Sequence, residues 1–129
     1  MQNFPFGSSE PPIMEVDISG EAISGSTIHI ALYRPEDKFP SEQTAFRTAT
    51  IKAEGNITNV KFEVPYGDYA LAVFQDENAN GKLDKTAIGF PKEPFGFSNN
   101  FRPKLSKPKF RNCSFTFSEQ SVKTVIKLR

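Results

Sequence analysis

The spacing of the apolar residues limits this chain more than any other feature: they recur at every second position and almost never at helical intervals. Met14, Val16 and Ile18 form one such run, followed by Ile28, Ile30 and Leu32, then Val60, Phe62 and Val64, then Tyr69, Leu71 and Val73. Successive side chains of a strand point to opposite faces, so each run reads as a half-buried strand. Phe46 to Ala53 is a weaker candidate. Cys113, Phe115, Phe117 and then Val122, Thr124, Ile126, Leu128 read as two closing strands separated by Ser118-Glu119-Gln120-Ser121. No long window carries an i, i+3, i+4, i+7 stripe, which limits helix to a turn or two near Pro40 to Thr44. About seven short strands with one apolar face each must close against a second sheet. The expected fold is therefore an all-β, antiparallel β-sandwich, immunoglobulin-like or transthyretin-like, with Ile30, Leu32, Phe62, Leu71, Val73, Phe115 and Ile126 in its core.

A chain of 129 residues falls within the size of one domain. Hydrophobic residues make up only 37%, but 13 Phe supply enough large apolar surface to build a core. Residues 1–12 are polar, proline-punctuated and aperiodic and read as a flexible lead-in, leaving 13–129 as the sandwich. Met1 to Gly7 lacks the basic and apolar regions of a signal peptide, so the protein is expected to be either cytosolic or already trimmed. No run approaches the length of a membrane span. A formal net charge of +1 gives no whole-molecule field to attract nucleic acid, and electrostatic function must be local. Cys113 is the single cysteine, which excludes an intrachain disulfide and a clustered-cysteine zinc site.

The strand rhythm breaks between Gln75 and Asn112, and a loop that long is usually functional or disordered. Within it, Asp76, Asn78, Asn80 and Asp84 place side-chain oxygens at positions 1, 3, 5 and 9, with Gly81 at 6 and the Lys82 carbonyl at 7. That is the ligand order of an EF-hand-type calcium loop, in which a hard cation takes six to eight oxygens and the glycine allows a sharp turn. Position 12, where that motif places a bidentate Glu, is Ala87, so another carboxylate, with Glu77 and Glu93 nearest, or water must complete the shell. Without that anchor the affinity is expected near the weak end, about 10⁻⁴ to 10⁻³ M. The alternative is that Asx and Gly residues here only build turns.

Gly67 to Asp84, with Ile88-Gly89-Phe90-Pro91-Lys92-Glu93 and Phe95-Gly96-Phe97-Ser98-Asn99-Asn100, resembles the bacterial family called domain of unknown function 2141. The likeness extends to Ile30-Ala31-Leu32-Tyr33, Ala45-Phe46-Arg47 and the last strand. It implies an exported bacterial protein, made with a signal peptide, with an immunoglobulin-like or transthyretin-like sandwich and no assigned activity. The chain has Ala79 where the family commonly has Gly and Gln75 where it commonly has His, and its 102–109 stretch departs from the usual pattern. Neither loop change removes an oxygen ligand.

Two further regions are candidates for recognition. Phe95, Phe97, Ser98, Asn99 and Asn100 form a possible ligand loop, set against the plainer reading of a loop pinned down by its two Phe. Arg102, Lys104, Lys107, Lys109 and Arg111 accumulate where Pro94 to Ser118 contains no acid, a possible anion patch or simply a solvated face. His29 is read as an outward-facing residue without a role, and Cys113 as a small buried hydrophobe. No nucleophile, base and orienting group come together in the sequence. The expected function is a non-catalytic, calcium-binding sandwich, periplasmic or secreted, whose partner is an envelope protein or a glycan. A hydrolase on a transthyretin-like scaffold and a purely structural accessory domain are the alternatives.

Overall fold

The structure is a computed structural model that describes residues 12–20, 26–53, 57–76, 95–103 and 107–128, with the backbone alone at Glu42 and Asp76. Among the described residues there are eight strands: β1 (Ile13–Gly20), β2 (Thr27–Tyr33), β3 (Arg47–Lys52), β4 (Ile57–Glu63), β5 (Gly67–Asp76), β6 (Phe95–Phe97), β7 (Phe115–Phe117) and β8 (Lys123–Leu128). Two 3₁₀ turns, Glu42–Thr44 and Ser98–Asn100, and the single helical turn α1 (Phe110–Cys113) complete the described elements. The first 3₁₀ turn lies where the sequence leaves room for helix.

One sheet runs β4-β1-β8 and the other β3-β2-β5, with β6 and β7 both on the far edge of β5. All pairings are antiparallel except β1 with β8, which is parallel from Glu15↔Lys123 to Gly20↔Leu128. The chain therefore closes its smaller sheet by laying its last strand beside its first, a long-range pairing that no local pattern encodes. This order puts β1 and β2 in different sheets, whereas the immunoglobulin constant-type order keeps the first two strands together.

The alternating residues meet between the sheets as expected. Met14, Val16 and Ile18 of β1, Val60 and Phe62 of β4, and Ile126 and Leu128 of β8 face Ile28, Ile30 and Leu32 of β2 and Tyr69, Leu71 and Val73 of β5 in one buried cluster. Phe115 is half-buried at its margin. The outer face of the larger sheet departs from a plain two-layer reading. Ala70, Phe97 and Cys113 are buried there, packed with Phe39, Phe95, Phe101 and Phe110 from the connecting segments. Phe39 meets Tyr33, Phe97 and Phe110 edge-on, and the Tyr33 hydroxyl donates to the Pro40 carbonyl at 3.1 Å. Strands covered on both faces read as nearly unbroken apolar runs, and Ile28 to Tyr33 and Tyr69 to Phe74 are such runs.

At one side the two sheets approach so closely that only glycine fits. A Cβ on Gly96 would lie 2.7 Å from both the Lys127 carbonyl oxygen and the Ile126 side chain. Gly20 combines φ of +115° with a position against the Leu128 backbone, so it is doubly restricted. Truncating the fully buried Leu71 to Ala should cost about 2–5 kcal/mol. Gly96→Ala should cost about 1–3 kcal/mol by forcing β6 away from β8, both read as a lower urea midpoint at unchanged slope.

Candidate functional site

Strand β5 holds the two short strands that follow it on its far edge. Its first residues, Gly67 to Tyr69, pair with β7, and Ala72 to Phe74 pair with β6. Between these two short strands the far edge of β5 has no strand beside it. The Ser98 hydroxyl fills that gap: it accepts the Leu71 amide at 2.9 Å and donates to the Cys113 carbonyl. Ser98 is fully buried, so both of those backbone groups depend on it. Its two neighbours continue the pattern. The Asn99 amide donates to the Ser114 carbonyl at 2.8 Å, and the Asn100 side-chain oxygen accepts the Lys127 amide at 2.9 Å. Both asparagines have positive φ, 64° and 51°, a conformation that Asn tolerates better than most residues.

The 95–100 segment is thus bound into the domain by all its parts. Phe95 is half-buried with the Arg102 guanidinium 3.9 Å above its ring, Phe97 is in the outer aromatic cluster, and Ser98 is inside. Only Asn99 and Asn100 are exposed, and their side chains are engaged with backbone. Phe95 to Phe97 is also a strand, so the 75–112 interval is not one continuous loop.

Of the metal-loop residues, Asp76 is the last residue of β5, in register with Thr27. Asn78, Asn80, Lys82 and Asp84 lie outside the described residues. The chain re-enters as β6 with Phe95 opposite Phe74, so the segment after Asp76 begins and ends on neighbouring antiparallel strands. Among the described residues, no group of three or more His, Cys, Asp or Glu is placed to hold a metal.

In the basic stretch, Arg102 is committed to Phe95, donating to its carbonyl at 2.9 Å, and Lys104 lies outside the described residues. Lys107, Lys109 and Arg111 are exposed, alternating with buried Pro108 and half-buried Phe110. His29 is half-buried, stacked on Phe74 at 4.8 Å with its Nδ1 3.3 Å from the Thr50 hydroxyl. Cys113 is buried as expected, though in a helical turn and not a strand, and burial pushes its thiol up to about 12.

Sequence reasoning missed one charged cluster. Arg34 makes a fork to Asp37 through Nε and Nη2, both at 2.9 Å, and its amide donates to the same carboxylate at 2.8 Å. The guanidiniums of Arg34 and Arg47 lie 4.1 and 4.0 Å from the Phe46 ring centre. The only signal was Arg-x-x-Asp straight after a strand, a spacing that suits a turn. The cluster fixes the β2–β3 connection and brings no reactive grouping together.

Fold and site together define a two-sheet β-sandwich whose polar side chains, where described, are spent largely on holding backbone. The chain belongs to the bacterial family described as "Uncharacterized protein conserved in bacteria (DUF2141)", whose model matches residues 16–125. No curated protein and no solved structure matches it.

Ser98→Ala should cost about 1–3 kcal/mol for leaving a buried donor and acceptor unmatched, and should accelerate hydrogen exchange at the Leu71 amide above all others in β5. A second expectation concerns acid. The hydrogen bonds from Arg34 hold the Asp37 carboxyl below its ordinary range, as Asn59 and then Lys123 do for Asp17. Each carboxyl binds a proton more readily unfolded, so the stability it adds is complete above the unfolded value of about 3.9 and is lost as pH falls through the lower folded value. Denaturation midpoints should fall below about pH 4. Asp37→Asn should make that fall shallower.

Proposed function

We propose that this domain is a non-catalytic, calcium-binding β-sandwich of the bacterial envelope, exported to the periplasm or beyond, that acts as a binding module. The observation that carries the reading is the placement of Asp76. The strand that ends at the first ligand position of the Asp76–Asp84 oxygen series is the most heavily connected in the larger sheet, and the chain returns to its edge at Phe95. A loop anchored at both ends on a rigid sheet loses less freedom when it closes around an ion than a free segment would. Asp76, Asn78, Asn80, the Lys82 carbonyl and Asp84 would supply oxygens to a hard cation, with water or a further carboxylate completing the shell.

The non-catalytic part rests on the described chemistry. Cys113 is buried with a thiol that stays protonated at neutral pH, and His29 stacks on Phe74 with its Nδ1 3.3 Å from the Thr50 hydroxyl. A nucleophile needs a base within hydrogen-bond reach and a third group to orient that base, and a buried, protonated thiol is a poor nucleophile. The envelope assignment draws on the export that the family resemblance implies, together with the weak affinity expected of a loop lacking a bidentate anchor, which would fill only where calcium is plentiful.

Calorimetry at millimolar calcium should give a binding heat, and calcium at about 100 times Kd should stabilise the fold by about 2.7 kcal/mol. Magnesium should do much less, because it demands a tighter octahedron. Asp76→Asn with Asp84→Asn keeps the turn chemistry and removes the charge, so it should abolish both effects. If the double variant melts with the parent in calcium and neither gives heat, the loop is only a turn.

A further inference from the structure

The cations of this protein are not all used alike. Lys123 pairs with Asp17 at 3.0 Å, Arg34 with Asp37 at 2.9 Å, Lys61 donates to Asn59 at 3.1 Å, and Arg102 is bound to Phe95. Lys107, Lys109 and Arg111 make no ion pair among the described residues, and the sequence around them, from Pro94 to Ser118, holds no acid. Asp68, on the strand that pairs with β7, accepts the Thr116 hydroxyl at 2.8 Å.

These three cations are also held in place. Pro108 is buried, Phe110 packs edge-on against Phe39 at 6.4 Å, and the Cys113 carbonyl is tied to Ser98. The Lys109 amide donates to the Asn112 side-chain oxygen at 3.1 Å, and the Asn112 amide returns to the Lys109 carbonyl at 2.9 Å. The segment therefore turns its apolar residues down and its charges out at alternate positions. Lys109 is extended, and alternate residues of an extended chain lie about 6.6 Å apart, so Lys107 and Lys109 form a short row of charges.

We infer that Lys107, Lys109 and Arg111 form a docking strip for an acidic polysaccharide, recognised by its repeating negative charge. Nucleic acid fits less well, since single strands are held by bases stacking on exposed aromatic faces, and Phe110, the aromatic within the strip, packs against Phe39 in the outer cluster. A lipid surface also fits less well. Peripheral membrane binding combines cations with inserted apolar groups, and among the described residues the exposed large apolar side chains, Ile13, Ile57, Tyr66, Val122 and Val125, belong to other segments of the chain. The inference names the ligand class for the binding module proposed above but does not depend on calcium.

The test is fluorescence anisotropy of labelled polygalacturonate with the full chain, in EDTA and low salt, with uncharged dextran as the control. Binding should weaken with added salt, and Lys107→Gln/Lys109→Gln/Arg111→Gln should weaken it about tenfold or more at an unchanged melting temperature. Lys38→Gln/Lys52→Gln/Lys61→Gln removes the same charge from other surfaces and should change it less than about twofold. Equal weakening by both triple variants would overturn the inference, as would no binding at low salt. Tighter binding to an oligonucleotide or to phosphatidylglycerol vesicles would replace the polysaccharide with that partner. Loss of the calcium heat alone would sink only the calcium reading, because this binding is measured without the ion.

Discussion

The larger sheet depends on one buried hydroxyl. β6 and β7 leave a gap along β5 at Ala70 and Leu71, and without Ser98 the Leu71 amide would face a dry interior unpaired. A buried backbone donor left unmatched costs about 1–3 kcal/mol, a sizeable share of the marginal stability of a small domain. By accepting from β5 and donating to Cys113, Ser98 joins two short strands into the equivalent of one, and fixes the position of α1 with them. The adjoining Asn99 and Asn100 extend the joint to Ser114 and to β8. Three consecutive residues thus tie both sheets together on the side where Gly96 allows them to touch.

The same joint explains why the outer face of the larger sheet is covered. Once the segments around 98–113 are held against β5, their aromatic residues lie over Ala70 and Ala72, and small side chains are what that position accommodates. Phe39 reaches the same cluster from the β2–β3 connection, which the Arg34–Asp37 fork holds in shape. This fork is only partly exposed and has bidentate geometry, the arrangement in which an ion pair does more than a surface pair of long side chains. Polar contacts at two separate places therefore set the position of one apolar layer.

The sandwich was legible because its inner faces follow a strict two-residue period, and Leu71, Ile30 and Ile126 are buried where that period places them. What the period does not encode was not legible. The outward Ala31, Ala70 and Ala72 are too small to announce that a second layer covers them. β6 is too short to show a pattern, so Phe95 to Phe97 read as loop. The parallel β1–β8 pairing joins residues more than a hundred positions apart and leaves no local trace. Among the site candidates, the pinned reading of 95–100 was available from its two Phe, but the share taken by Ser98, Asn99 and Asn100 was hidden, since a serine or asparagine in a connecting segment looks the same whether it faces water or backbone. Spacing was all the sequence offered for the metal set, of which Asp76 is the one member whose backbone the structure describes.

The position of that candidate loop bears on how an ion would act. Asp76 and Phe95 belong to neighbouring antiparallel strands, and the Phe74–Phe95 pairing holds the two ends of the intervening segment close together whether or not a metal is present. Loop closure is thus already achieved by β-pairing, and closure entropy grows only slowly with loop length. An ion at Asp76–Asp84 would order the segment locally and would not be what assembles the sandwich. Its stabilisation would come from mass action on the folded state, while the core contacts of β5 and the Ser98 joint persist without it. Local opening of the loop would then be separable from global unfolding, so calcium would protect amides near Asp76 from exchange more than those of β1 or β4.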